Sequence, residues 1–170
     1  AGEYYFGDGE TFEQHHAVIR HLNKAGQRLL LVELGRAAPL GDWFAAVSDE
    51  PGFTADVPAF IGGISLANLD DLRQWTGMPD DASAETCLTA LRQRLSADWV
   101  LLVDEYPSLH QTSDHPLPGS DVTFLVAAPD GSFPSITQHL GAHPSILHAR
   151  VAKAGLFWLR KCFVTAPSGV

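Results

Sequence analysis

The chain has 170 residues, of which 45% are hydrophobic and 18% charged, with a formal net charge of −9. This length and composition are typical of one folded domain with a full core rather than of a disordered chain. The acidic balance argues against nucleic acid or an anionic membrane as a partner, because phosphate binding requires clustered Lys and Arg. A small anion is still compatible with it, since a single Arg or helix N-terminus can hold one.

No apolar run approaches the roughly 20 residues that span a bilayer, and no signal peptide is found, so the cytoplasm is the expected location. Cys87 and Cys162 both fall on apolar helical faces. We therefore expect two buried thiols rather than a disulfide or a metal pair.

Hydrophobic periodicity divides the chain into an arm at residues 1–10, a domain at residues 11–164 and a tail at residues 165–170. Helices are predicted at residues 11–25, 39–48, 69–75, 83–96 and 144–163, and strands at residues 28–32, 59–67, 99–103, 122–128 and 132–139. This order predicts a three-layer α/β/α sandwich. The Pro-Asp-Gly turn after the fourth strand makes its sheet of about five strands mixed, and Pro134 favours an edge position for the last strand.

The first predicted strand leads into the place where an α/β domain usually binds its ligand, the carboxyl end of a buried strand. A nucleophile or a phosphate cradle is expected there. The residues that follow the strand are Glu33, Leu34, Gly35 and Arg36, which include no Ser, Cys or Thr. The position suits a site, but its nucleophile is missing.

Further candidates follow the third predicted strand. Asp104, Glu105 and Tyr106 stand at its carboxyl end, where they suit a general acid or base or a metal site, although a solvated loop start is the preferred interpretation. Three weak candidates for a divalent metal lie further along this polar loop: His110, Asp114 and His115. Their spacing matches no strong metal signature.

Several segments match one known family in order and spacing. They are residues 2–7 (Gly-Glu-Tyr-Tyr-Phe-Gly), 10–13 (Glu-Thr-Phe-Glu), 51–52 (Pro-Gly), 60–64 (Phe-Ile-Gly-Gly-Ile), 94–99 (Arg-Leu-Ser-Ala-Asp-Trp) and 115–119 (His-Pro-Leu-Pro-Gly). Through them nearly the whole chain resembles the C-terminal domain of CinA, the competence/damage-inducible protein, which is the nicotinamide-nucleotide amidase family. The resemblance implies an α/β domain, a homo-oligomer, and hydrolysis of nicotinamide mononucleotide to its nicotinic acid form with release of ammonia.

The family's nucleophile motif, Glu-Ser-Cys-Thr-Gly-Gly, corresponds to residues 33–38. Glu33 is kept, but the nucleophilic Ser position is occupied by Leu34, which has no nucleophilic atom. The first of the three catalytic motifs is therefore lost.

The other two catalytic motifs also depart from the family pattern. In the Ala-Tyr-Ser-Asn-Glu-Ala-Lys motif, Ala67 replaces the Tyr, Asn68 follows it, and Leu72 replaces the Lys. The family's glycine-rich phosphate or oxyanion motif corresponds to a stretch without glycine that begins with Asp104 and Glu105. Two carboxylates there would repel a phosphate group.

These departures lead to three hypotheses. The first is a non-catalytic relative that keeps the fold as a binding or oligomerising module, with no cofactor and with a small-molecule ligand at a vestigial pocket. That pocket comprises Glu33, Leu34, Gly35, Arg36, Ala67, Asn68, Asp104 and Glu105. The second is an amidohydrolase or nucleotide hydrolase rebuilt on Asp104, Glu105 and His110. The third is the amidase reaction itself, which needs a nucleophile that the sequence does not offer.

Overall fold

The computed structural model describes residues 13–109 and 118–165. Its helices are α1 (Gln14–Ala25), α2 (Pro39–Ser48), α3 (Leu69–Thr76), α4 (Ala84–Leu95) and α5 (Pro144–Thr165), and its strands are β1 (Leu29–Leu34), β2 (Phe60–Leu66), β3 (Trp99–Asp104), β4 (Ser120–Ala127) and β5 (Ser135–Leu140). The predicted arm at residues 1–10 lies outside the described residues, and Thr165, assigned to the predicted tail, ends α5.

The five strands form one mixed sheet in the order β2-β1-β3-β4-β5. β1 pairs in parallel with β2 and β3, whereas β3 with β4 and β4 with β5 are antiparallel. The turn that reverses the chain after β4 is closed by Gly131, whose N–H donates to the Ala128 carbonyl. β5 is an edge strand as predicted, but it begins at Ser135 because Pro134 precedes the strand instead of lying within it. The predicted mixed sheet is confirmed.

Helices cover both faces of the sheet and give it two cores. On one face α1, α2 and α5 pack around residues such as Leu31, Phe44 and Leu101. On the other face α3 and α4 pack around Leu72 and Leu102. The three-layer arrangement is therefore confirmed, and Cys87 and Cys162 are both buried free thiols, as predicted.

Local sequence signals set the ends of most helices. Asn68 caps α3 by accepting from the Asp71 N–H at 2.9 Å. α1 begins at Gln14, later than the predicted start at residue 11, with Glu13 as its N-cap. There the His16 imidazole accepts from the Glu13 N–H. The His16 side chain is buried.

Two adjacent glycines, Gly62 and Gly63, affect the geometry of β2 at the edge of the sheet. The register shifts so that Leu29 pairs with Phe60 but Leu30 pairs with Gly62, which is a β-bulge. A Cβ atom on Gly63 would lie 3.6 Å from the Gly41 Cα atom, so α2 packs close against the strand. Within the described residues no helix is long and apolar enough to cross a membrane.

Candidate functional site

The strand β1 continues two residues beyond its predicted end, so Glu33 and Leu34 lie in the sheet and not in a loop. Pairing with β2 extends to Leu34 opposite Leu66, which holds this end of the strand straight. Successive strand residues point to opposite faces, so the two side chains enter different cores. The Leu34 side chain is 0% exposed and belongs to the same apolar cluster as Leu72.

The Glu33 carboxylate binds the N-terminus of α2. Its Oε2 atom accepts from the Leu40 N–H at 3.0 Å, and its Oε1 atom accepts from the Gly41 N–H at 2.9 Å. These amides belong to the second and third residues of the helix, whose N–H groups have no partner within it. The helix dipole also favours a negative charge at this end. Glu33 therefore caps α2 from the neighbouring strand.

The sequence around α2 explains why this cap comes from a distance. The N-cap position is Ala38, which has no side-chain acceptor, and the first helical residue is Pro39, which has no N–H. This leaves the amides of the next two residues to be satisfied by another group. In many α/β proteins such amides hold a bound anion, but here a carboxylate of the chain itself fills that place.

Tyr106 completes the shell around Glu33. Its hydroxyl donates to Glu33 Oε2 at 2.5 Å, and its side chain is 2% exposed. Burial raises the pKa of Glu33, while the bonds from Tyr106, Gly41 and Leu40 oppose that rise. Burial and the adjacent carboxylate raise the pKa of Tyr106, so its hydroxyl keeps its proton.

The segment after β3 crosses directly over the end of β1. The Tyr106 N–H donates to the Leu34 carbonyl at 2.8 Å. A Cβ atom on Gly35 would lie 2.7 Å from the Tyr106 carbonyl oxygen, and Gly35 has a φ of +104°. Only glycine accommodates this approach. The carboxyl end of β1 is thereby covered by the chain's own backbone.

The same segment is fastened to α5. The His148 Nε2 atom lies 2.7 Å from the Pro107 carbonyl oxygen. The His148 ring also meets the Tyr106 ring edge-on, with centroids 5.3 Å apart. Three elements, β1, α2 and α5, therefore hold residues 106 and 107 in place.

Asp104 ends β3 on the sheet face that carries α3 and α4, because Val103 faces the opposite core. It is half-buried; burial raises its pKa, and the Arg73 guanidinium opposes the rise. Arg73 itself donates to Asp70 at 2.6 Å and to the Ala82 carbonyl at 2.7 Å. Two predicted site carboxylates in the described residues have an altered pKa, Glu33 and Asp104. Glu33 accepts hydrogen bonds from backbone amides, whereas among the described residues the partly buried Asp104 does not.

The eight residues of the predicted pocket meet at one edge of the sheet, and the contacts of the described side chains differ from one residue to the next. The Gly35 N–H donates to the carbonyls of Leu66 and Ala67, which joins the first two predicted segments. Arg36 and Glu105 are exposed, and the Asn68 side chain serves as a helix cap. The pocket residues are thus neighbours that perform separate structural tasks.

The metal candidates His110, Asp114 and His115 lie outside the described residues. Elsewhere, across residues 13–109 and 118–165, no group of three His, Cys, Asp or Glu side chains could hold a metal ion.

The sequence analysis missed the partners of Glu33. Tyr106 was a candidate only as part of a loop start, and the Leu40 and Gly41 amides were not considered. One signal was available: Pro39 marks a helix start, and Ala38 before it cannot cap. That combination calls for a distant acceptor, and Glu33 is the nearest buried carboxylate in the sequence.

These observations define a three-layer α/β domain in which Glu33, Leu34 and Tyr106 are buried at the carboxyl end of β1. No protein-family model matches the sequence, and no curated protein matches it either. Solved structures do match over most of the chain.

The competence damage-inducible protein A of Klebsiella pneumoniae superposes with a TM-score of 0.65 and 16% identity, covering 91% of this chain and 97% of that one. The competence-damaged protein (CinA) superfamily protein of Escherichia coli has a TM-score of 0.62 and 17% identity, covering 86% and 87%. The competence or damage-inducible protein of Enterobacter asburiae has a TM-score of 0.61 and 15% identity, covering 86% and 93%. The chain therefore has the fold of the CinA-type proteins, at a strongly diverged sequence.

Proposed function

We propose that this chain is a non-catalytic relative of the CinA C-terminal domain, the nicotinamide-nucleotide amidase type, and that it serves as an oligomerising or binding module. One observation carries the proposal. The residue at the family's nucleophile position is Leu34, which has no nucleophilic atom and is 0% exposed within the apolar cluster that α3 and α4 cover.

Amide hydrolysis of this kind needs a nucleophile, a base that activates it and donors that stabilise an oxyanion. Leu34 supplies no nucleophile. Ser65 pairs with Glu33 in the adjacent strand, and the Ser48 hydroxyl donates to the Phe44 carbonyl. The Glu33 carboxylate already accepts from three donors that hold it in place, which makes it poorly suited to activate Ser65 as a base.

Charge at this edge also argues against the amidase substrate. Nicotinamide mononucleotide carries a phosphate, and Asp104 and Glu105 present two carboxylates where the family has glycines. Like charges repel, most strongly where water is partly excluded. Any small molecule bound beside Arg36 is therefore expected to differ from the family's nucleotide substrate.

The proposal also includes where the chain is located and which partners it binds. Two free, buried cysteines suit a reducing compartment such as the cytoplasm. The net charge of −9 suits neither nucleic acid nor an anionic membrane as a partner.

A second candidate function is a hydrolase with a rebuilt site, and Asp104 is the observation that favours it. A half-buried carboxyl with a raised pKa is suited to donate or accept a proton. It would act with Glu105 and with His110, which lies outside the described residues.

The test is ammonia release from nicotinamide mononucleotide, with a catalytically intact amidase of the family as the positive control. We expect no release from the wild-type chain, from Leu34→Ser or from Asp104→Asn. Release by the wild type that Asp104→Asn abolishes would replace our proposal with the rebuilt hydrolase. Release that survives Asp104→Asn would mean that a nucleophile exists elsewhere in the chain.

A further inference from the structure

The helix α5 presents a line of large apolar side chains to solvent. Ile146, Phe157 and Val164 are 52%, 55% and 85% exposed. They are separated by 11 and then 7 residues, close to three and two full turns, so they lie along one face of the helix. Exposed apolar side chains that share one helix face with cationic ones between them form a candidate interaction surface.

The same face of α5 is cationic. The helix carries Arg150, Lys153, Arg160 and Lys161, all exposed, and contains no Asp or Glu. The Lys161 ammonium lies 6.0 Å from the centroid of the Phe157 ring. In a chain with a net charge of −9, this is a local concentration of positive charge. It favours a partner surface that is acidic and carries an apolar anchor.

A groove of about 370 Å³ adjoins this face, between α5, the start of α1 and α2. It is lined by the rings of His15 and Trp43, by Leu156 and by two charged residues, Glu13 and Lys153, of which Lys153 also belongs to the cationic face. Burial lowers the pKa of His15 to about 4, so its ring is neutral near pH 7. The groove suits one aromatic side chain, which would bury roughly 150–250 Å².

The opposite side of the sheet carries a surface of the complementary kind. Trp75 on α3 is 54% exposed, and Asp71 lies one turn before it on the same side of the helix. The exposed residues Asp80 and Asp81 follow the helix in the next connection. Arg73 pairs with Asp70 and Arg94 donates to the Thr76 carbonyl, so the aspartates at positions 70, 71, 80 and 81 outnumber the two arginines and the local charge around Trp75 is negative.

We propose that a second copy of this chain inserts its Trp75 into the groove beside α5, with Asp80 of that copy facing Lys153. This rests on the proposed role as an oligomerising module and names the two surfaces that would perform it. Because α3 and α5 lie on opposite faces of the sheet, each copy can use both surfaces at once. The contact is therefore head-to-tail and extends to a ring or a chain of copies.

The test uses two double variants of the full chain, one for each surface. Lys153→Glu with Phe157→Ser removes the α5 surface and leaves the α3 surface intact. Asp80→Lys with Trp75→Ser does the reverse. Lys24→Glu and Asp56→Lys are matched controls, because both are exposed charges outside the two surfaces. Sedimentation velocity gives the mass of each variant and of an equimolar mixture of the two double variants.

We expect the wild type and both controls to form oligomers, and each double variant to be a monomer, with self-association weakened about tenfold or more. The mixture should form a 1:1 dimer and nothing larger, because only one intact pair of surfaces remains. That result also shows that both variants are folded.

A monomeric wild type, double variants that still assemble, or a mixture that stays monomeric would each overturn the interface. Ammonia release is measured separately. A failed interface with no ammonia release therefore leaves the non-catalytic assignment standing, whereas ammonia release removes that assignment whatever the mass.

Discussion

The Tyr106 hydroxyl donates to Glu33 Oε2 at 2.5 Å, across 73 residues of sequence. This bond joins the segment after β3 to the strand β1, and through the other carboxylate contacts to the N-terminus of α2. A buried carboxylate with three donors is stable only while all three remain, because an unsatisfied buried polar group costs more than a bond contributes. The pair therefore joins β1, the N-terminus of α2 and the segment after β3 at the carboxyl end of β1, and it stabilises the fold.

Tyr106→Phe tests the hydroxyl alone. We expect the free energy of unfolding to fall by about 1–3 kcal/mol at pH 7, because a hydrogen bond to a buried charge is lost while the ring packing is kept. The hydroxyl favours the ionised form of Glu33, so its removal raises the pKa of Glu33 further above the unfolded value. The loss should therefore shrink as the pH falls through the raised folded-state pKa of Glu33, because below it the carboxyl is protonated in the folded state of both proteins. Urea unfolding at two pH values measures this, and an equal loss at both would contradict it.

Glu33→Gln tests the remote helix cap. The amide keeps one oxygen but turns an NH2 group toward N–H and O–H donors, so at least one donor is left without an acceptor. We expect a loss of about 1–3 kcal/mol in the free energy of unfolding. Asp42→Asn is the matched control, because Asp42 is an exposed carboxylate in the first turn of the same helix, and its loss should be below about 1 kcal/mol. Equal losses in the two variants would show that Glu33 is not the cap.

Leu34→Ser tests whether a hydroxyl at the family's nucleophile position is enough to give amidase activity. Since Leu34 is fully buried between the sheet and α3, we expect a loss of about 2–5 kcal/mol in the free energy of unfolding and no ammonia release. Leu34→Ala is the control for volume and should be destabilised by a similar amount. Amidase activity in Leu34→Ser but not in Leu34→Ala would show that only the nucleophile has been lost.

The pH dependence of stability tests the environment of His15. Its pKa is lowered to about 4, first by burial and then by the neighbouring His16. Between pH 6.5 and pH 4 the unfolded chain therefore binds a proton that the folded chain does not. The contribution is fully present above pH 6.5, is lost as the pH falls toward 4, and is constant below. Thermal unfolding should show this slope in the wild type and a smaller one in His15→Gln, while His139→Gln, at an exposed position, should keep the wild-type slope.

Much of the fold could be predicted because it is encoded locally. Apolar runs mark the strands, Asn68 and Ser83 cap their helices, and the turn at Gly131 sets the antiparallel hairpin. The end of β1 could not be predicted in the same way, because the visible apolar run stops at Val32. Glu33 and Leu34 remain in the strand because β2 pairs with them, and pairing between distant strands leaves no local pattern.

The sequence predicts where the candidate site lies but not how its side chains contact one another. Strand order brings the ends of β1 and β3 together, which the fold class implies. The bond between Glu33 and Tyr106 depends on two side chains meeting across the sheet edge, and neither residue type nor spacing specifies it. The partial burial of Asp104 likewise depends on how α3 packs, and no sequence pattern reports it.

The most direct test of a closed site is binding, because binding does not require a nucleophile. Isothermal titration calorimetry of nicotinamide mononucleotide into the wild-type chain should show no saturable heat, since Asp104 and Glu105 place two carboxylates in the stretch that corresponds to the family's phosphate motif. Saturable binding that Arg36→Ala weakens would contradict this account, because it would show that the edge of the sheet is open to the amidase substrate.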